Sequence, residues 1–199
     1  MMPRVLAHDA PETRSAVDIA LETGQTIVFP TDTIYGIGGN PWDERSLERV
    51  RSLKGRPADQ PFALLLPQQI EVERYAVVDR RRSALVARLL PGPFTLLLPA
   101  AHEAPASAVR DGKVGIRVPA HPFFRQTLTR PLFGTSVNRH GEPPLIDIDA
   151  IIDRFVVIDL IVTGPTHGTP SAILDLTGAT PRLVRGELAP SLQDVLEEQ

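Results

Sequence analysis

Thr26-Ile27-Val28-Phe29-Pro30-Thr31-Asp32-Thr33-Ile34-Tyr35-Gly36 joins a short apolar run to a polar segment. Residues 26–29 are β-branched and aromatic and read as a buried strand, which Pro30 closes because it has no N–H to offer a ladder. Before it, residues 11–23 carry Val17, Ala20 and Leu21 at helical spacing, and Gly24 is a stop signal. After it, Asp43 is placed to cap a helix with Leu47, Val50 and Leu53 on one face, ended by Gly55 and Pro57. Residues 62–66 read as the next strand. The alternation continues with a helix over 83–90, a break at Pro91-Gly92-Pro93 and a strand over 94–98. Strands over 114–118 and 132–137 flank a helix over 122–129, and a polar turn follows at 138–144. A short helix over 147–154 precedes apolar or β-branched runs at 155–162, 172–176 and 182–184. This is the pattern of an α/β domain with flanking helices and a curved, twisted, partly parallel sheet. Sheet order is not contained in it.

The composition bounds the function. The 199 residues are 42% hydrophobic, enough for one domain over 1–199 with a substantial core. Charged residues make up 23% and the net charge is -3, which excludes a disordered tail and a globally basic nucleic-acid binder. A local basic patch remains compatible with that total. With no cysteine there is no disulfide, thiolate metal site or cysteine nucleophile. The 20 prolines, about twice the usual share of roughly 5%, stand at the ends of apolar runs as punctuation. Residues 1–12 hold no apolar stretch of signal-peptide length, and no run reaches the roughly 18 residues of a membrane helix. The expectation is a soluble cytoplasmic protein.

The chemistry-bearing residues stand at strand ends, and ligands of open α/β sheets tend to lie beyond the carboxyl ends of strands. Thr31, Asp32, Thr33 and Tyr35 suit a small polar ligand. Spacing alone favours the plainer reading, a turn capped by Thr31 and Asp32 and permitted by Gly36. Lys54 and Arg56 flank Gly55, where they can grip phosphate oxygens or simply favour a helix C-terminus. Ser136 and Asn138 alternate on an extended chain, so both side chains can face one side and bind a phosphate or sugar. His140 reads as a surface-loop histidine. Arg117, alone in an apolar strand, needs an anionic partner from ligand or protein. Ser171 stands at the mouth of the 172–176 strand, and Arg185 at the end of 182–184, where a structural salt bridge is the plainer reading.

Other chemistries drop out. There is no P-loop, and Gly36-Ile37-Gly38-Gly39 lacks the spacing of a dinucleotide fingerprint. No G-x-S-x-G elbow surrounds Ser136. His8, His102, His121, His140 and His167 make no metal motif, so no protein-held metal is expected. Aromatics are 5%, few platforms for stacking single-stranded nucleic acid.

Together, six segments resemble the YrdC/YciO family: residues 29–36, 54–57, 90–95, 115–119, 136–138 and 183–185, in the family's order. The resemblance implies an open, twisted mixed α/β sheet with flanking helices around a large central cavity. It implies a threonylcarbamoyl-AMP synthase, a nucleotidyltransferase acting on ATP, L-threonine and bicarbonate, with Mg2+ carried by the ATP. The product serves tRNA threonylcarbamoyladenosine formation, with partner proteins of that modification. By the same resemblance Lys54, Arg56, Ser136, Asn138 and Arg185 hold ATP, with Lys54 and Arg56 catalytic. Thr33, Tyr35, Arg117 and Ser171 then hold threonine. Leu65 stands where many synthases carry a histidine, Val137 replaces the usual alanine, and Glu142-Pro143-Pro144 replaces a serine-containing turn. Residues 54–66 look closer to the YciO-like branch. The alternative is therefore a YciO-like nucleotide- or RNA-binding module, for tRNA or double-stranded RNA, whose basic floor is Lys54, Arg56, Arg117, Arg139 and Arg185.

Overall fold

In a computed structural model the chain runs β1 (Arg4–Ala7), α1 (Thr13–Glu22), β2 (Ile27–Phe29), β3 (Gly36–Gly39), α2 (Glu44–Lys54) and β4 (Ala63–Leu65). It continues α3 (Val72–Tyr75), α4 (Arg80–Leu89), β5 (Phe94–Pro99), β6 (Val109–Arg110) and β7 (Lys113–Arg117). The last elements are β8 (Leu132–Ser136), α5 (Ile148–Arg154), β9 (Leu160–Thr163), β10 (Ala172–Asp175) and β11 (Arg182–Arg185). The structure describes residues 3–155 and 157–188; Met1, Met2, Val156 and residues 189–199 lie outside the described residues.

The strands form one mixed sheet in the order β1-β9-β2-β3-β8-β4-β7-β5-β10-β11, with β6 beside β7. β9 pairs in parallel with β1 and β2, β4 with β7, and β10 with β5, whereas the β2–β3, β3–β8, β4–β8 and β5–β7 ladders are antiparallel. Local chemistry sets the helix ends. The Asp43 carboxylate accepts from the Arg45 and Ser46 amides, and Gly55 leaves α2 at φ 62°, a conformation glycine adopts without a Cβ penalty. Asp79 and Asp147 cap α4 and α5 in the same way.

The two-residue period of the strands divides the sheet. In β2 and β9, Ile27, Phe29, Leu160 and Val162 pack toward Val17 and Leu21 of α1, while Val28 and Ile161 pack toward Leu47 and Val50 of α2 and Ile151 of α5. In the other half, Leu64, Val114, Ile116, Leu96, Leu98 and Leu174 face Leu85 and Leu89 of α4. Their alternates, Ala63, Leu65, Lys113, Gly115, Arg117, Thr95, Leu97 and Ile173, line an open cavity. One half of the sheet is covered on both faces, and the other leaves a face for ligand.

Two expectations change, and one strand was not foreseen. The 122–129 helix is a π-helical turn, Phe123–Thr127. The 155–162 run is not one strand: the Phe155 amide closes α5, Val156 lies outside the described residues, and β9 begins only at Leu160. The polar break is Asp159, whose carboxylate accepts from the Thr26 amide and hydroxyl. Gly36–Gly39, excluded above as a nucleotide loop, is a strand because its glycines allow close approach. A Cβ at Gly38 would stand 1.7 Å from the Phe133 carbonyl oxygen.

Candidate active site

The cavity encloses about 870 Å³ and lies across the uncovered sheet face, not beyond the strand ends, because mid-strand residues such as Gly115 and Gly134 form its floor. Lys54, Arg56, Ser136 and Asn138 line one corner, and Tyr35, Arg117, Ser171 and Arg185 also line the cavity. Sequence positions as distant as 35 and 185 therefore share one site.

At the first corner, Lys54 ends α2 with its side chain buried. Its Nζ donates to the Ser136 carbonyl (2.6 Å), the Asn138 carbonyl (2.7 Å) and Asn138 Oδ1 (2.9 Å). Asn138 Oδ1 also accepts from Ser136 Oγ (2.6 Å), and Asn138 Nδ2 donates to the carbonyls of Arg139 and Glu142. Burial, with the Arg56 charge second, lowers the Lys54 pKa from 10.5 to about 7. Arg56 donates from Nη2 to the Pro61 carbonyl (2.8 Å) and lies 5.1 Å from the Phe62 ring centroid, while its buried Nε has no partner. Desolvation, then Arg51, lowers its pKa.

The second corner is built around Arg117, on β7 opposite Leu65 of β4. Its Nη2 donates to Asp32 Oδ1 (2.6 Å) and Thr33 Oγ1 (2.8 Å), so the expected anionic partner is a protein carboxylate. Both side chains are less than a tenth exposed, and Arg117 Nε and Asp32 Oδ2 are buried without partners. Burial lowers the Arg117 pKa against the opposing effect of Asp32. Ser171 Oγ lies 3.3 Å from Thr95 Oγ1, and its carbonyl accepts from Arg185 Nη2 (3.2 Å). The salt bridge considered for Arg185 is absent among the described residues.

Two of the expected residues stand outside the cavity lining. Thr33 is not in the cavity lining: it is buried behind Arg117, and Thr31 reaches the cavity in its place. Arg139 is likewise outside the lining. Tyr35 lines the cavity, but its hydroxyl donates to the Gly164 carbonyl (2.6 Å) and accepts from the Gly164 amide. Sequence reading missed Thr95, Arg110 and Lys113; the signal for Lys113 was its alternation with Gly115 and Arg117 along one strand. Lys113 Nζ meets Asp175 at 2.8 Å; against burial, that bond and those from Thr177 hold the Asp175 carboxyl down at about 2. Among the described residues, no three His, Cys, Asp or Glu side chains group to hold a metal, and no helix is long and apolar enough to cross a membrane.

The Sua5–YciO–YrdC family, described as "Telomere recombination", matches residues 19–186. The chain belongs to that family. It is similar to the threonylcarbamoyl-AMP synthase of Pyrococcus abyssi (strain GE5 / Orsay), 32% identical over 174 residues that cover 83% of this chain and 51% of that protein. It thus spans about half the length of that relative. It is also similar to the uncharacterized protein YciO of Escherichia coli (strain K12), 31% identical over 198 residues, 92% of this chain and 96% of that one. Among solved structures, P. abyssi Sua5 complexed with L-threonine matches with a TM-score of 0.87 at 28% identity, over 100% of this chain and 62% of that chain. The mixed, twisted sheet with its flanking helices is the family's fold.

Proposed function

We propose that this member of the family is an L-threonylcarbamoyladenylate synthase. It joins L-threonine, CO2 from bicarbonate, and ATP into threonylcarbamoyl-AMP and pyrophosphate, in the cytoplasm, for tRNA threonylcarbamoyladenosine modification with its partner proteins. One observation carries the reading: a single cavity of about 870 Å³ gathers Lys54, Arg56, Arg117 and Arg185, and two of these arginines keep buried donors unused. That volume suits a nucleotide with a small amino acid. The match to a Sua5 complexed with L-threonine supports the amino acid.

The threonine amine, as the free base, bonds to the carbon of CO2 and releases one proton, giving a carbamate. A carbamate oxygen then bonds to the α-phosphorus of ATP as the bond to the β-phosphate oxygen breaks. Arg117 takes the threonine carboxylate through its spare donor, with Ser171 beside it. Arg56 and Arg185 hold phosphate oxygens, and Lys54, Ser136 and Asn138 shape that end of the cavity. Catalysis here is positioning plus charge stabilisation, work suited to fixed guanidinium groups. Mg2+ bound to the triphosphate would neutralise part of its charge.

The test is pyrophosphate release from ATP, Mg2+ and bicarbonate, with and without L-threonine. Threonine-dependent release is expected. ATP binding without it would overturn the synthase reading in favour of a YciO-like nucleotide- or RNA-binding module, the reading that Leu65 favours. RNA binding of that kind weakens steeply with salt and needs no threonine.

A further inference from the structure

Lys54 presents an unusual arrangement for a cation beside a phosphate site. An ammonium has three donors, and all three are taken by acceptors of one segment: the Ser136 carbonyl, the Asn138 carbonyl and Asn138 Oδ1, at 2.6–2.9 Å. Its own carbonyl accepts from the His140 amide at 2.6 Å, so both ends of the residue grip residues 136–140. The residue is 3% exposed, which leaves little room for the side chain to swing toward a ligand. Downstream, Asn138 Nδ2 holds the carbonyls of Arg139 and Glu142, and the Glu142 amide donates to the Arg139 carbonyl.

We propose that Lys54 is a positioning residue: it fastens the 136–142 loop and turns its carbonyl oxygens away from the cavity, so that a triphosphate meets no lone pairs there. The inference rests on the synthase reading for the identity of the nucleotide. Without the ammonium, the Ser136 and Asn138 carbonyls lose that donor, Asn138 Oδ1 keeps only the Ser136 hydroxyl, and these oxygens face the same cavity as the phosphates. Losing a buried partner in this way costs more than losing one surface cation. Among the described residues, no carboxylate bonds to Lys54. The charged and titratable groups around it are Arg51 and Arg56 from α2 and the turn after it, His140 and Glu142 from the loop, and Arg154 of α5, which pairs with Glu142. The lowered Lys54 pKa places the loss of its charge near neutrality, so the fastening loosens as pH rises.

Hydrogen exchange in the ligand-free protein tests the clamp. Lys54→Met is expected to lose protection at the His140 and Glu142 amides while α2 and β8 keep theirs. Lys54→Gln, which retains two donors, is expected to recover part of it. Unchanged protection in Lys54→Met overturns the clamp. Magnesium–ATP affinity is then compared in Lys54→Met, Asn138→Ala and the double variant. Lys54→Met is expected to bind at least about tenfold more weakly, and the double variant to fall within about threefold of the worse single one. Multiplying losses overturn the proposal, because they mean that Lys54 touches the phosphates itself. In the wild type, affinity is expected to fall as pH rises from about 6 to about 9, and to be flat in Lys54→Met. An identical slope in the variant means that Lys54 is not the titrating group and overturns the role. A wild type that binds no ATP removes the synthase reading, and the exchange comparison still decides the clamp.

Discussion

The two corners of the cavity each bury a cation, and they differ in what is left unfilled. Around Lys54 every donor has a protein acceptor, and Ser136 and Asn138 complete the set among themselves. Around Arg117 the bonds to Asp32 and Thr33 stop at one nitrogen, and Arg117 Nε and Asp32 Oδ2 remain buried without partners. Buried polar groups are seldom left open unless something else fills them. The first corner is therefore a preformed wall, whereas the second keeps a guanidinium donor unfilled: Arg117 lines the cavity, and Asp32 holds it from outside the lining.

The largest effects should come from the open corner. Arg117→Ala leaves the Asp32 carboxylate buried without a counter-charge, at a cost of about 3–5 kcal/mol. Threonine-dependent pyrophosphate release should vanish with it. Pairing Arg117→Met with Asp32→Asn removes both charges and should regain most of the urea stability without regaining activity. Recovery of activity in that pair would break the comparison, since the corner would then be structural only. Arg56→Ala comes next. It gives up one hydrogen bond to the Pro61 carbonyl and a contact with the Phe62 ring, about 1 kcal/mol of stability. Turnover should nevertheless fall by about 100-fold, as when a preorganised transition-state donor is removed. Wild-type rates in Arg56→Ala would take that side chain out of the nucleotide site.

How far the sequence carries the reader depends on range. Asp43 and Gly55 were legible as the ends of α2 because capping is settled within a few residues. The 26–29 run was legible because its residues are buried on both faces. β3 was not, since glycine weakens strand signals and the close approach that favours it involves Phe133, far along the chain. The site divides the same way. Lys54, Arg56, Ser136, Asn138 and Arg117 stood out by type and spacing, and they do share the cavity. Thr95 and Lys113 did not, because which face of β5 and β7 is open follows from helices packed on the opposite side. Arg139 was grouped with the cavity cations from adjacency alone, and one residue of backbone rotation takes it out of the lining.

The smallest prediction concerns Thr33, where resemblance and geometry part. Thr31 Oγ1 spends its one hydrogen on the Ile34 carbonyl at 2.7 Å. In the Thr31–Thr33 hydroxyl pair at 2.8 Å, Thr33 must then be the donor. Its oxygen is left to accept from Arg117 Nη2, and no hydrogen remains for a ligand. In the proposed reaction, Thr33 therefore acts through the guanidinium it orients. Thr33→Val keeps the shape and removes the acceptor, worth about 1 kcal/mol. The KM for threonine should rise about fivefold, with kcat and ATP affinity near wild type, and Thr33→Ser should restore it. A fall of about 100-fold or more in kcat/KM would show instead that the hydroxyl meets the substrate directly, and that the open corner extends one residue deeper than Arg117.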